Sequence, residues 1–259
     1  LLEAAQLYQV MLNGQTWRFF ADPLVTPPAR FDVDESIGPT TLPSLLLIED
    51  IKLADGTPIY HAASQTQRVQ GEDLAGELGS MLRSVVMHGT GRRAEGSAEA
   101  HSFDPTRAAE LRSLGAKVPL FGKTGTTNSY RNSAFVGIVP TLAEGQDRLR
   151  WGRGSVVAAY LGYDDNREMR RGAIRIAGAS GSLPAWIETA RGVVEASALG
   201  DRVSLADAAF SGGGTLPVDW PDALHGISVG LVDGLPSDDP EGTTTFWVRR
   251  EPRAFAPFE

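Results

Sequence analysis

Between residues 121 and 161 the chain places three short strand-like segments in close succession. The second, Phe135-Val136-Gly137-Ile138-Val139, and the third, Val156-Val157-Ala158-Ala159-Tyr160-Leu161, are apolar enough to be buried strands. Short connections between the three predict an antiparallel meander. The first segment is of another kind. It reads Phe121-Gly122-Lys123-Thr124-Gly125-Thr126-Thr127, a lysine, three hydroxyls and two glycines in one run. Those residue types suit a site that grips a carboxylate. The ammonium supplies charge, Gly125 lets a substrate backbone lie against the strand, and strand alternation sends Thr124 and Thr126 to one face.

Helical patterns flank these strands. Leu1, Ala5, Tyr8 and Leu12 recur at helical spacing up to the stop Asn13-Gly14. Leu74, Leu78, Met81, Leu82 and Val85 predict the clearest amphipathic helix, with Glu72 and Asp73 at its positive end and Gly89 as its stop. A weaker helix is expected over residues 105–113. Ser182 reads as the cap of another, in which Trp186, Ala190, Val193 and Val194 share a face and Pro184 sits in the first turn. Leu45 to Ile48, Ile51 to Leu53, the turn signal Asp55-Gly56 and Ile59-Tyr60 read as a β-hairpin after a polar, proline-bearing stretch. From about Leu199 the chain turns rich in Gly, Pro and Asp, with a strand pair expected around residues 227–232 and 244–248. The fold class is therefore α/β (α+β), an antiparallel sheet flanked by helices.

Composition narrows the function classes. A net charge of −8 with both signs spread along the chain disfavours a nucleic-acid surface, which needs a basic stripe. No cysteine is present, so disulfides, Cys-based metal sites and cysteine nucleophiles are excluded. The four histidines lack helical metal-pair spacing, and no metal or other cofactor is expected. No stretch approaches the roughly 20 apolar residues of a membrane span.

The segment Gly122-Lys123-Thr124-Gly125-Thr126-Thr127-Asn128, followed by Phe135-Val136-Gly137 and Pro140, resembles the transpeptidase domain of class A penicillin-binding proteins. Other segments agree in order. Tyr8 through Asn13-Gly14 is similar to the helix after that family's middle motif. Met81-Leu82-Arg83-Ser84-Val85-Val86 with Gly89-Thr90-Gly91 and Ala94 resembles its L-x-x-V-V-x-x-G-T-G-x-x-A element. Gly162-Tyr163-Asp164-Asp165-Asn166 resembles the loop after the hairpin, and Pro184-Ala185-Trp186 the closing helix. The resemblance covers residues 1–196. It implies a serine β-lactamase/transpeptidase-like fold, incomplete at its N-terminal side, with residues 1–198 as the C-terminal portion of the domain and residues 199–259 as a small extension.

What the resemblance implies about chemistry is acyl transfer. In the family a serine attacks a D-Ala-D-Ala stem peptide, β-lactams mimic that peptide, and three motifs, S-x-x-K, S-x-N and K-T-G, surround the bond. Carried over, Lys123 is the catalytic lysine of the last motif, supplying charge and sharing protons with the middle motif's serine. Thr124 and Thr126 bind the substrate carboxylate, the Thr126 N–H is an oxyanion-hole donor, Gly125 leaves room for the substrate strand, and Thr127 completes the wall. Implied partners are the peptidoglycan stem peptide, β-lactams and the upstream half of the same domain. The implied location is the periplasm or extracytoplasmic face of the membrane, with the anchor outside this chain.

The sequence departs from the family at telling places. Neither S-x-x-K nor S-x-N occurs in it; Tyr130-Arg131-Asn132 is a near match on the wrong side of Lys-Thr-Gly. Asn132 and Ala134 stand where the family usually has aspartate and tryptophan, and Ser129 where it often has aspartate. Without a nucleophile this chain by itself is expected to be inactive. Truncation upstream of Leu1 accounts for both missing motifs; the alternative is a non-catalytic relative that binds peptidoglycan or a partner.

Other motif readings are weaker. Gly122-Lys123-Thr124 matches the end of a P-loop, but that loop needs a glycine where Lys117 stands and a helix where Gly125 and the threonines follow. Gly89-Thr90-Gly91-Arg92-Arg93-Ala94 fits a dinucleotide fingerprint by letter, yet follows a helix and reads as a helix stop. No G-x-S-x-G elbow surrounds Ser155, Ser180 or Ser182, Gly212-Gly213-Gly214 reads as a turn, and Asp164-Asp165 as a solvated loop.

Overall fold

The computed structural model describes residues 1–21, 49–212, 214–239 and 242–249. Residues 45–48 of the expected hairpin and Gly213 of the glycine run lie outside them. Helix α1 (Leu2–Asn13) ends where the sequence predicts, at Gly14 in the left-handed conformation (φ 71°), whose N–H bonds to the Val10 carbonyl at 2.8 Å. The chain turns there directly into strand β1 (Gln15–Ala21), which sequence reasoning missed. Strands β2 (Asp50–Lys52) and β3 (Pro58–Arg68) form the hairpin around Asp55-Gly56. β3 continues past Tyr60 and pairs antiparallel with β1, giving a three-stranded sheet in the order β1-β3-β2.

Helix α2 (Glu72–His88) forms over the predicted residues but buries a different stripe. Its most enclosed positions are Ala75, Gly76, Gly79, Ser80 and Val86, whereas Met81 is 55% exposed and Leu74, Leu78, Leu82 and Val85 are half-buried. Close approach explains the difference. A Cβ at Gly79 would lie 2.4 Å from the Trp151 ring, so the helix presses on its neighbours through residues too small to register as hydrophobic. Helix α3 (Pro105–Leu114) is capped by Asp104, which accepts from the Arg107 N–H at 2.7 Å.

The predicted meander follows. Strands β4 (Phe121–Thr126), β5 (Asn132–Pro140) and, beyond the short β6 (Leu149–Arg150), β7 (Gly154–Gly162) form an antiparallel sheet in the order β4-β5-β7. The register sets Thr124 opposite Phe135 and Gly137 opposite Val157. One face carries Phe121 and Ile138 and packs with Leu12 of α1, Trp151 and Leu82 of α2. The other face carries Phe135 and Val157 and is covered, after the small pair β8 (Arg170–Arg171) and β9 (Ile174–Arg175), by α4 (Ser182–Ser197). Trp186 of α4 is fully buried 4.7 Å from the Phe135 ring, and its Nε1–H donates to the Val157 carbonyl at 2.9 Å. Ser182 is not the cap that its position predicts. Its hydroxyl donates to the Ser133 carbonyl and meets the Ser133 hydroxyl at 2.8 Å, tying α4 to β5 instead.

After α4 the chain stays in contact with this core. Leu199, Val203, Ala208 of α5 (Leu205–Phe210) and Leu216 are buried in one cluster with Trp186 and Leu120. Strand β10 (Val218–Asp219) pairs parallel with β6, and β11 (Leu224–Gly230) with β12 (Thr243–Arg249) forms the predicted strand pair, Ile227 opposite Phe246. That pair is fastened to α2, where Glu77 accepts from the Arg249 N–H at 2.7 Å and the Ser80 hydroxyl from the Trp247 N–H at 2.8 Å. Among the described residues no helix is long and apolar enough to cross a membrane.

Candidate functional site

β4 has one partner strand in its sheet, β5, so its other edge is open among the described residues. An open edge presents backbone donors and acceptors to any extended chain laid beside it. Alternation puts Lys123 and Gly125 on the face shared with Phe121, and Thr124 and Thr126 on the face shared with Gly122. Lys123 is exposed and bends back along the edge, its Nζ donating to the Thr124 carbonyl at 2.9 Å and lying 3.3 Å from the Thr124 hydroxyl. It makes no ion pair among the described residues. Its charge stands open to an anion.

The candidate residues do not all converge. Lys123 and Thr124 come together, and a third group joins them: Thr90, in the turn after α2, whose Oγ1 is 2.6 Å from the Thr124 Oγ1. Thr126 lies farther along the strand, where its hydroxyl accepts from the Gly178 N–H at 2.9 Å. Thr127 turns toward the β4–β5 connection, accepting from the Asn132 N–H at 2.9 Å. Gly125 is exposed, and a Cβ there would meet the Ala134 Cβ at 3.5 Å and the Ala134 carbonyl oxygen at 4.0 Å, both ordinary contacts. Packing within the chain therefore does not require glycine at that position.

The connection from β4 to β5 is held in an uncommon conformation. Ser129 (φ 61°) and Tyr130 (φ 54°) are consecutive non-glycine residues in the left-handed region. The turn is fixed from several sides: the Tyr130 N–H bonds to the Thr127 carbonyl, the Tyr130 carbonyl accepts from Met169 N–H at 2.9 Å, and Arg131 donates to the Asn166 carbonyl at 2.6 Å. Such strain persists where the surroundings over-determine it, and it sits here beside the open strand. Asn132 is hydrogen-bonded by the Tyr160 hydroxyl.

A half-buried ion pair braces the site from behind. Arg83 of α2 makes a two-pronged contact with Glu95, one prong at 2.7 Å, and also donates to the Leu120 carbonyl at 3.2 Å and the Thr215 hydroxyl at 3.0 Å. One guanidinium thus joins α2, the segment after Thr90, the residue preceding β4 and the tail. Among the described residues no group of three or more His, Asp or Glu side chains could hold a metal.

A solved structure of penicillin-binding protein 1A from Haemophilus influenzae matches 96% of this chain with a TM-score of 0.51 and 19% sequence identity. The likeness is one of fold, to the matching part of that penicillin-binding protein. The chain spans 32% of that protein's length. No family model matches the sequence, and no curated protein matches it. Within the penicillin-binding-protein fold, Gly122-Lys123-Thr124 lies inside a strand and opens no helix, which removes the P-loop reading. Gly89 through Ala94 forms the helix stop and a short helical turn, and Asp164-Asp165 an exposed loop. Thr90 is the site residue that sequence reasoning left without a role. It stands within Gly89-Thr90-Gly91, and nothing in that run announces a contact with β4.

Proposed function

We propose that this chain is part of a peptidoglycan D,D-transpeptidase that crosslinks D-Ala-D-Ala stem peptides by serine acyl transfer and binds penicillin. Residues 1–198 supply the Lys-Thr-Gly wall of the domain, residues 199–259 an extension, and the nucleophilic serine comes from sequence outside this chain. The observation that carries the reading is an unpaired Lys123 ammonium beside the Thr124 hydroxyl on an open strand edge, within a penicillin-binding-protein fold. An ammonium and hydroxyls on one wall suit the terminal carboxylate of a stem peptide or of a β-lactam. The edge of β4 that no strand pairs among the described residues suits an extended peptide as a further strand, and the Thr126 N–H serves as an oxyanion donor. The reaction takes place outside the cytoplasmic membrane, with the anchor and the serine half outside this chain.

Fluorescent penicillin tests the reading. The full-length product of the coding sequence is expected to label covalently, and its Lys123→Ala variant, if folded, to lose labelling by about 10² or more. Normal labelling of that variant would remove Lys123 from the site. No labelling of the full-length wild type would favour a non-catalytic binding remnant of the same fold.

A further inference from the structure

We infer that Thr90 is a positioning residue of this wall, one that sets the Thr124 hydroxyl as a donor toward a carboxylate. The inference rests on the reading that Lys123 and Thr124 receive that group. Its geometric basis begins at the end of α2, where the N–H groups of Gly89 and Gly91 both bond to the Val85 carbonyl, at 3.0 and 3.1 Å. A Cβ at Gly89 would lie 2.9 Å from that carbonyl oxygen, so the helix end can close this tightly only with a very small residue there. The closure delivers the exposed Thr90 side chain to the open edge of β4, at 2.6 Å from the Thr124 hydroxyl.

The chemistry follows from counting protons. A hydroxyl oxygen has two lone pairs and one proton, and an ammonium can only donate. Lys123 Nζ, 3.3 Å away, therefore occupies one lone pair of Thr124 Oγ1. In the Thr90–Thr124 pair either hydroxyl can be the donor. A carboxylate is acceptor-only, and its arrival selects the arrangement in which Thr90 donates into the second lone pair of Thr124. The Thr124 proton is then committed to the anion. A neutral amide or ester in the same place has a weaker acceptor and gains less. Thr90 thus contributes to preference for a free carboxylate without touching it.

The test uses the 259-residue chain and two carboxylate sources, N-acetyl-D-alanyl-D-alanine and benzylpenicillin, with the C-terminal amide of the peptide as control. Binding is read from the Thr124, Gly125 and Thr126 amide signals in NMR titrations. Thr90→Val is expected to weaken binding of both carboxylates about tenfold, the loss of one hydrogen bond to a charge-assisted group. It should weaken the amide control by clearly less, and Thr90→Ser should restore wild-type affinity. Equal loss for acid and amide, unchanged affinity in Thr90→Val, or no response of the wild-type chain to either carboxylate would each overturn the inference. Failure of the two readings can be told apart. Carboxylate binding that depends on Thr90, with no acylation of the full-length product, would refute the transpeptidase reading alone; acylation with a silent Thr90→Val would refute only the role of Thr90.

Discussion

Gly125 and Gly137 sit on neighbouring strands under different constraints. A Cβ at Gly137 would stand 2.3 Å from the Phe121 carbonyl oxygen and 2.6 Å from the Trp186 ring, so the fold itself demands glycine there. At Gly125 the same atom would meet an ordinary contact. Gly137→Ala should therefore cost about 1–3 kcal/mol by overpacking, measured in urea melts. Gly125→Ala should leave stability within about 0.5 kcal/mol. If a substrate strand lies against β4, the same change should slow β-lactam acylation of the full-length product about tenfold or more. Equal destabilisation by the two changes would contradict this division. At this scale the sequence was readable where the residues are contiguous: Lys123, Thr124, Gly125 and Thr126 lie on one strand, and their alternation alone separates them into two faces. Thr90 was not readable, because its partnership with Thr124 exists only once α2 has folded beside β4.

Helix α2 shows what hydrophobic periodicity can and cannot carry. Its existence and limits were legible, since Leu74, Leu78, Leu82 and Val85 repeat at helical spacing and Gly89 ends the run. Its deepest stripe was not, because apart from Val86 it consists of Ala75, Gly76, Gly79 and Ser80, with Gly79 against the Trp151 ring and Gly76 against Leu224 and Pro221. β3 illustrates the opposite case: residues 64–68 are exposed, and their pairing with β1 is carried by the backbone, which leaves no alternation of hydrophobicity to read. The element-level tie most open to test is Arg83. Replacing it with alanine leaves Glu95 without its cation and the Leu120 carbonyl without that donor. The expected cost is about 1–3 kcal/mol, and because Leu120 precedes β4, acylation should fall as well. A conservative Arg83→Lys change cannot reproduce the two-pronged contact and should recover only part of either. Wild-type stability in Arg83→Ala would show that the brace is not needed.

Across the whole molecule, contacts distant in sequence close the structure. Asp201, just after α4, receives hydrogen bonds from the Ser102 hydroxyl and from the Phe103 N–H at 2.9 Å, so it fastens the segment before α3 to the turn that follows α4. Chiefly the Ser102 bond, with the backbone donors beside it, holds its carboxyl below the ordinary aspartate value. A group whose pKa is lowered by folding contributes stability above its unfolded value, about 3.9, and loses it as pH falls through the folded value. Asp201→Asn should thus lower Tm at pH 7, and the gap to wild type should narrow as the pH drops below about 4. A gap independent of pH would contradict a charge-based role. The meander, α4 and the final strand pair were all legible at this scale because each is bounded by turn residues and carries its own pattern. The placement of Leu199, Val203 and Leu216 in the core of the sheet was not, since those residues are scattered among Gly, Ser and Asp.

On the proposed function, this chain forms one wall of a site whose nucleophile lies outside it. Mapping the site of penicillin attachment tests this most directly: the full-length product is treated with benzylpenicillin, digested, and the modified peptide sequenced by mass spectrometry. A penicilloyl adduct is expected on the serine of an S-x-x-K motif outside residues 1–259, lost in Lys123→Ala, and no adduct on the 259-residue chain by itself. An adduct on a serine within this chain, or none on the full-length product, would contradict it.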